Sequence, residues 1–211
     1  MERKSERLSR QGDASREAIL DAALEIAADL GYDGTTVSAV TARSGLPASS
    51  IYWHFGSKDE LLAAALEHSY REWRRNAPMW RVRRQAGADP EERIESWFQR
   101  AVKHLTRNPH FWRLGLMLTL EQRVEEPKAR RLFLQVRQNS EDALHEWWRD
   151  VLADRPTTEE ELRRLARFHM MMMDGMFIQF RATSTRIPPR QVTLLARALA
   201  AHVAKPVPVR G

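Results

Sequence analysis

The chain has 211 residues, a formal net charge of +6 and no cysteine, which excludes disulfides, thiol nucleophiles and cysteine-ligated zinc or iron–sulfur centres. Hydrophobic residues make up 43% and charged residues 29%, a balance typical of a globular protein and not of a disordered one. Because no apolar run approaches the roughly 20 residues of a membrane span, and the N-terminus lacks an apolar signal segment, we expect a soluble cytoplasmic protein with no membrane partner.

The first part of the chain predicts four helices. Helical periodicity begins near Ser15 and stops at Gly31, and the basic tail before it is expected to be a flexible, solvated segment. Thr36 is a predicted N-cap, and Pro47 opens a second short helix. Ser57-Lys58-Asp59-Glu60 has the capping-box pattern that starts a longer helix. The predicted helices are 15–30, 36–44, 47–55 and 58–76.

Proline marks the start of each later helix. Asp89-Pro90 and Asn108-Pro109 place a capping residue before proline at the first helical position, and further prolines precede the last three helices. Strand-like alternation is absent from the sequence, so the predicted fold class is all-α. The predicted helices are 90–107, 109–124, 128–152, 159–183 and 189–204, followed by a flexible tail at 205–211.

Residues 35–55, TTVSAVTARSGLPASSIYWHF, have the layout of a helix-turn-helix with a tight turn at Gly45. Apolar positions at Val37, Val40 and Ile51, together with Leu46, would join the two short helices to the first helix. The residues left pointing outward are small or hydrogen-bonding, which suits a helix against a DNA groove. They are Ala48, Ser49, Ser50, Tyr52, Trp53 and His54.

Two segments, REAILDAALEIAADLGYDGTTV and SGLPASSIYWHFGSKDELL, fit one family pattern in register over residues 16–62, about a quarter of the chain. They resemble the DNA-binding domain of the TetR family of bacterial transcriptional regulators. The departures are small; one of them, Pro47 in place of serine, removes a side-chain N-cap from the second short helix. The resemblance implies a three-helix helix-turn-helix domain with an N-terminal arm at 1–60 and a helical ligand-binding and dimerisation domain at 61–204.

The resemblance also implies which residues contact DNA. Thr36, at a helix N-terminus, would offer amide and hydroxyl donors to a phosphate. Base-edge or thymine-methyl contacts are implied for Ser49, Ser50 and Trp53. Further backbone contacts are implied for Tyr52, His54 and Lys58. Phosphate or minor-groove contacts are implied for Arg43, Arg7 and Arg10. The structural alternatives are core packing for Tyr52 and Phe55, a propping role for Trp53 and a solvated surface charge for Lys58.

Beyond about residue 77 the chain resembles the family in layout alone. The stretch 168–178, FHMMMMDGMFI, is apolar on all sides, so its helix is buried on more than one side. Methionine suits a cavity that accepts varied apolar ligands, whereas plain core packing is the alternative for each apolar residue. Asp174 would either orient a cationic ligand or bond to a neighbouring helix end. The predicted effector-binding residues are Phe98, Phe111, Trp112, Met117, Trp148, Met170, Met173, Asp174 and Phe177.

The last two helices are the candidates for a homodimer. Two such helix pairs, one from each subunit, would form a four-helix bundle, and its two-fold symmetry predicts a palindromic DNA operator. The facing residues would be Ala166, Met170, Met173 and Phe177 on one helix and Val192, Leu195, Leu199 and Val203 on the other.

No chemistry-bearing motif accompanies these features. The four histidines at 104, 110, 145 and 169 lack metal-ligand spacing with a carboxylate, and the sequence contains neither a nucleotide-binding loop nor a nucleophile motif. We therefore expect no metal, no cofactor and no enzymatic activity.

The sequence as a whole predicts a ligand-responsive, homodimeric DNA-binding transcriptional regulator. In its most specific form it is a repressor that binds a palindromic double-stranded operator and is released by a small apolar or amphipathic effector. The alternative is an architectural or adaptor DNA-binding protein that no ligand controls. The two differ in sequence preference, because a regulator binds one palindrome far more tightly than bulk DNA.

Overall fold

The structure is a computed structural model that describes residues 2–76, 89–105, 109–120, 127–183 and 188–204. Within these ranges all regular secondary structure is helical, which confirms the all-α prediction. The helices are α1 (Glu2–Gly34), α2 (Val37–Ser44), α3 (Ala48–Phe55), α4 (Lys58–Asn76), α5 (Pro90–Leu105), α6 (His110–Leu120), α7 (Lys128–Val151), α8 (Glu159–Thr183) and α9 (Pro189–Ala204). Within the described part of the chain, no helix combines the length and apolar character that a membrane crossing requires.

The predicted helix limits agree with the structure except at the start of α1. That helix begins at Glu2 and not near Ser15, because the segment before Ser15 is rich in Glu, Arg and Lys, which favour helix, and contains no proline. The expectation of a flexible tail there is therefore wrong for the backbone. Helical geometry breaks at Gly31 (φ 74°, ψ −174°), where the sequence predicted the end of the helix. The predicted ends at 106–107 and 121–124 and the predicted tail at 205–211 lie outside the described residues.

The chain forms two compact units, and their limits differ from the predicted division at residue 60. Unit 1 comprises residues 1–74 and 109–137, and unit 2 comprises residues 75–108 and 138–211. In unit 1, α6 packs against α1, which explains why residues far along the chain join the helix-turn-helix region. The long helix α7 contributes its first ten residues to unit 1 and the rest to unit 2.

Helix α1 is the central helix of unit 1 and packs against α2, α3 and α6. Its buried side carries Ile19, Leu20 and Ala23, none of which is exposed to solvent. Asp29 on α1 forms an ion pair with Arg113 on α6. Small buried residues such as Ala23 let neighbouring helices approach α1 closely.

Unit 1 also contains a cluster of stacked rings, which we call the unit 1 aromatic cluster. Its members are Tyr70 and Trp73 from α4, Phe111 and Trp112 from α6 and Phe133 from α7. The Trp73 and Trp112 rings lie nearly parallel, with centroids 5.9 Å apart and planes at 8°. Because offset stacking adds to the hydrophobic burial of each ring, this cluster holds three helices together.

In unit 2 the central helix is α5, which packs most closely against α9 and also against α8. The Thr193 hydroxyl on α9 donates to the Glu95 carboxylate at 2.8 Å, and Arg197 pairs with Glu91 at 3.1 Å. The direct pairing of α8 with α9 stays a prediction. The α8 residues assigned to the pairing are buried within the unit; they are Ala166, Met170, Met173 and Phe177.

Helix α8 begins with a reciprocal capping box. The Glu161 amide donates to the Thr158 hydroxyl oxygen at 3.2 Å, and the Thr158 amide donates to the Glu161 carboxylate at 2.8 Å. Backbone and hydroxyl hydrogen bonds from Thr158 hold the pKa of the Glu161 carboxyl below its usual range. The start of α8 is thus determined locally, whichever helix packs against it.

Candidate nucleic-acid interface

Local hydrogen bonds define the α2–α3 pair. The Thr36 hydroxyl oxygen accepts from the Ala39 amide at 3.1 Å and caps α2. Gly45 closes the helix at φ 71°, a left-handed conformation that favours glycine, and its amide donates to the Thr41 carbonyl at 3.0 Å. Pro47 caps α3 without a side-chain hydrogen bond, as the sequence predicted. These bonds confirm the predicted helix-turn-helix limits.

The inner side of the pair is apolar and buried. Val40 is not exposed, Ile51 is 1% exposed and Phe55 is 9% exposed. The structure therefore agrees with the core role that was one alternative for Phe55, and the Arg16 guanidinium lies 5.3 Å from the centre of its ring. Because α1 packs against both α2 and α3, this inner side holds α3 in one orientation.

The outer side of α3 is exposed. Tyr52 is 54% exposed and Trp53 is 79% exposed, so core packing of Tyr52 is wrong. The Trp53 ring contacts His54 edge-on, with centroids 4.6 Å apart. Ala48 and Ser49 are also exposed, whereas Ser50 and His54 are half-buried. Large exposed aromatic residues beside small polar ones are typical of a surface that receives a partner.

The two basic residues near this surface are both held by α1. The Arg43 guanidinium pairs with the Glu25 carboxylate at 2.7 Å, and both side chains are about half exposed. The Lys58 ammonium donates to the Tyr32 carbonyl at 3.2 Å and lies 4.4 Å from the centre of the Tyr32 ring. No local sequence pattern predicts either partner, because neither Glu25 nor Tyr32 is close to these residues in sequence.

The start of α4 is tied to the start of α7 within unit 1. The Asp59 carboxylate accepts hydrogen bonds from the Lys128 amide at 3.1 and 3.3 Å and from the Tyr32 hydroxyl at 3.4 Å. The Lys128 ammonium pairs with Glu60. Asp59 therefore places a negative charge at the N-terminus of α7, where the helix dipole favours it. No local pattern predicts this link between residues 69 apart.

The predicted effector residues are divided between the two units. Phe111, Trp112 and Met117 belong to unit 1, and the others belong to unit 2. Met117 and Asp174 are half-buried, and the other seven residues are buried. Those in unit 2 are Phe98, Trp148, Met170, Met173, Asp174 and Phe177.

Unit 2 contains a second aromatic cluster, built around a residue that the sequence analysis considered only as a metal ligand. We call it the His169 cluster. The His169 ring centroid on α8 lies 4.0 Å from Trp97 and 4.4 Å from Phe98 on α5, and 5.7 Å from Trp147 and 6.1 Å from Trp148 on α7. His169 is fully buried, and burial lowers its pKa to about 3. A lone imidazole in an otherwise apolar helix was the sequence signal for this site.

No metal site accompanies this imidazole in the part of the chain that the structure describes. There, no three residues among His, Asp and Glu come together in a group that could hold a metal ion. Neither nitrogen of the His169 ring has a hydrogen-bond partner among the described residues.

The comparisons with known proteins agree with this architecture. A profile described as "Bacterial regulatory proteins, tetR family" matches residues 19–65. The chain is 26% identical to the HTH-type transcriptional repressor NicS of Pseudomonas putida over 124 residues, 59% of this chain and 57% of that protein. It is 40% identical to the Tetracycline repressor protein class C of Escherichia coli over 52 residues, 25% of this chain and 24% of that protein. The chain thus spans less than two thirds of the length of these relatives.

The fold is similar along nearly the whole chain to that of a TetR transcriptional regulator from Chloroflexus aurantiacus. That structure has a TM-score of 0.73 and 22% sequence identity, and the match covers 93% of this chain and 97% of that chain. At this identity the likeness shows a shared fold. The profile match contains the whole α2–α3 pair and the start of α4, so residues 19–65 of this chain are similar to the helix-turn-helix domain of TetR-family regulatory proteins.

Proposed function

We propose that this chain is a member of the TetR family and a homodimeric transcriptional repressor that binds a palindromic operator and is released by a small apolar or amphipathic effector. The observation that carries the proposal is the exposed outer side of α3. Tyr52 and Trp53 stand on a helix whose other side is buried against α1. Arg43 and Lys58 are the only charged residues in the sequence from 36 to 58, and both are basic. The positive charges of these two residues favour the approach of a polyanion.

In this proposal the outer side of α3 reads base edges, and the flanking residues hold the backbone. Ser49, Ser50 and Trp53 take the base contacts, with Ala48 on the same side. Thr36, Arg43, Tyr52, His54 and Lys58 contact phosphates. The Lys58 contact is compatible with its bond to the Tyr32 carbonyl, because an ammonium group carries three donors.

The first test is a selection of bound sequences from a random pool of double-stranded DNA. Protein that has been denatured, freed of small molecules and refolded is used, so that a bound effector does not mask DNA binding. Enrichment of one inverted repeat supports a dimeric sequence reader. If folded, dimeric protein enriches no sequence, the architectural or adaptor alternative replaces the proposal.

We expect Lys58 and Trp53 substitutions to affect DNA binding differently. Lys58→Gln keeps a donor for the Tyr32 carbonyl but removes the charge, so it should weaken binding to all sequences and reduce the salt slope by about 1. Trp53→Ala should change the preferred base at one position, with about 1–3 kcal/mol of lost discrimination. Both effects are measured by binding titrations at several salt concentrations. An unchanged affinity and salt slope in Lys58→Gln would overturn the phosphate assignment.

The proposed dimer interface is an exposed apolar side of α8. Phe168, Met171 and Ile178 are 45%, 61% and 55% exposed, and Gly175 lies among them at helical spacing. A Cβ atom added at Gly175 would meet nothing within 4 Å. A glycine inside a helix lowers its stability by about 1 kcal/mol relative to alanine. No contact within the described residues explains why glycine occupies this position. Close approach of the α8 helix of a second subunit would explain the glycine.

We expect Gly175→Ala to weaken the dimer by about tenfold, because each added methyl group separates the paired helices. Sedimentation equilibrium measures the dissociation constant. Gly12→Ala is the matched control, since its added Cβ also meets nothing within 4 Å but lies on α1. Gly175→Ala protein that dimerises as tightly as the unchanged chain would remove α8 from the proposed interface.

Release of DNA requires the effector to change the equilibrium between two conformations. To shift a population from 99:1 to 1:99, the effector must favour one state by about 5.5 kcal/mol. The Asp59–Lys128 link supports α7 as the element that transmits this change. It ties the start of α4 to the start of α7, and α7 continues into unit 2. In this proposal the effector moves the start of α4 and so changes the separation of the two α3 helices.

A further inference from the structure

The two basic residues of the α2–α3 region have different kinds of partner on α1. Lys58 donates to the uncharged backbone carbonyl of Tyr32, so its positive charge is not cancelled by that partner. Arg43 instead pairs with the Glu25 carboxylate at 2.7 Å, so the two opposite charges lie in direct contact. Because Arg43 and Lys58 are the only charged residues in the sequence from 36 to 58, this one carboxylate from α1 offsets half of the positive charge of the region.

The Glu25–Arg43 ion pair contributes little to folding. The Arg43 and Glu25 side chains are 54% and 50% exposed, and solvent screens an ion pair between side chains of such exposure. Helix α1 packs against α2 in any case, and Val40 on the inner side of α2 is fully buried. The larger effect of the pair is on the approach of a polyanion, which attracts the guanidinium and repels the carboxylate beside it.

The pair affects the binding of DNA that lacks the preferred sequence most strongly. Non-specific binding comes almost entirely from basic groups that replace the counterions of phosphates. An arginine whose charge is offset by a carboxylate adds little to this attraction. Arg43 freed from Glu25 would add one such contact on DNA of any sequence, and Glu25 therefore weakens non-specific binding.

In a sequence-specific complex the same pair has a second, opposite effect. Base contacts from α3 fix the position of the protein there, so Arg43 needs one particular side-chain conformation to meet a phosphate. Glu25 already holds the guanidinium through Nη1, and a guanidinium has further N–H donors for a phosphate oxygen. The entropy of ordering this long side chain is thus lost on folding and not on binding. This gain compensates on the operator for the charge that Glu25 offsets.

We propose that Glu25 is a specificity-determining residue that acts through Arg43. It withholds the charge of Arg43 from DNA of arbitrary sequence, and it holds the guanidinium in the orientation that the operator phosphate needs. Glu25 does not itself contact DNA, so it is a positioning residue. The operator part of the proposal rests on the proposed function, whereas the withholding of Arg43 requires DNA binding alone.

The test compares Glu25→Gln with the unchanged full-length chain on two DNA probes. One probe is a random-sequence duplex, and the other is the inverted repeat enriched from the random pool. Binding is titrated at several salt concentrations. Glu25→Gln should bind the random duplex about three- to tenfold more tightly, with a salt slope steeper by about 1 for each bound subunit. Its affinity for the inverted repeat should change by less than about twofold, so the specificity ratio should fall about three- to tenfold.

Two further variants separate the release of Arg43 from the loss of a negative charge. Asp29→Asn is the matched control, because Asp29 lies one turn further along α1 and pairs with Arg113 on α6. It removes the same charge from the same helix without freeing Arg43, and it should change the affinity for the random duplex by less than about twofold. In an Arg43→Gln chain, which lacks the group through which Glu25 acts, adding Glu25→Gln should also have less than about a twofold effect. Thermal unfolding verifies that the compared chains are folded.

Each result on the random duplex decides the proposal. Unchanged affinity and salt slope in Glu25→Gln would overturn it, and so would an equal gain in Asp29→Asn or in the Arg43→Gln chain. An equal gain on both probes would remove the role in specificity. If Glu25→Gln alone binds random DNA more tightly while no operator is enriched, the withholding of Arg43 stands and the repressor proposal fails. If an operator is found and Glu25→Gln changes neither affinity, the repressor proposal stands and the ion pair only joins α1 to α2.

Discussion

Replacing Gly115 with alanine should destabilise unit 1 by about 1–3 kcal/mol, as expected for overpacking of a well-filled core. Gly115 lies on α6 within the unit 1 aromatic cluster, and a Cβ atom there would overlap the ring of Phe133 on α7. Phe133 is fully buried between Phe111 and Trp112, so its ring has no space to retreat. Alanine is normally the better helix former, so helix propensity alone would predict a gain in stability, whereas we expect a loss.

Urea denaturation measures this loss, and two further variants test its cause. Gly12→Ala, which adds a methyl group in open space on α1, should stabilise the chain by about 0.5–1 kcal/mol. Phe133→Leu removes ring atoms where the new methyl group would lie. The Gly115→Ala, Phe133→Leu double variant should therefore lose less than the sum of the two single losses. Strict additivity would mean that the two residues do not compete for space.

The free energy of unfolding should fall by about 2 kcal/mol between pH 7 and pH 5 because of His169 alone. Its pKa is lowered by burial from 6.5 to about 3. As the pH falls below 6.5 the unfolded chain binds a proton at this residue, whereas the folded chain does not until the pH approaches 3. Unfolding is therefore favoured progressively in this window, and the contribution of His169 to stability is complete only above it.

Urea denaturation at pH 7 and pH 5 of the unchanged chain and of His169→Phe measures this contribution. The variant has no titratable group at this position, so its stability should fall by about 2 kcal/mol less over the same interval. His202→Gln, which removes an exposed imidazole on α9, is the control and should retain the full dependence. Equal pH dependence in His169→Phe and the unchanged chain would show that the imidazole is not held neutral in the folded state.

Much of the local structure was predictable because the signals are local. The Thr36 cap and the Thr158–Glu161 capping box join residues three apart, so they operate in whichever tertiary context the helix meets. The residues around Tyr52 identified the helix-turn-helix because their pattern also lies within a short stretch of sequence. The start of α1 was not predictable from periodicity, because its first residues have no apolar repeat.

The contacts of the candidate interface were less predictable than its residues. Periodicity placed Ser49 and Trp53 on an outer side, and the structure leaves both exposed. It did not predict that Arg43 pairs with Glu25 or that Lys58 binds the Tyr32 carbonyl. The sequence contains many acidic and carbonyl groups that could pair with an exposed basic residue. Only the position of α1 relative to α2 and α4 determines which of them it meets.

The sequence by itself determined the helical fold class, the helix-turn-helix and its outward-facing residues, because caps, turns and periodicity act over a few residues. Only the tertiary structure decided that α5 packs against both α8 and α9, that Gly115 must be a glycine, and that four rings enclose His169. These features depend on which apolar helix faces meet. Several amphipathic helices of one chain can cover one another equally well on pattern alone, and side-chain volume and shape select among the pairings.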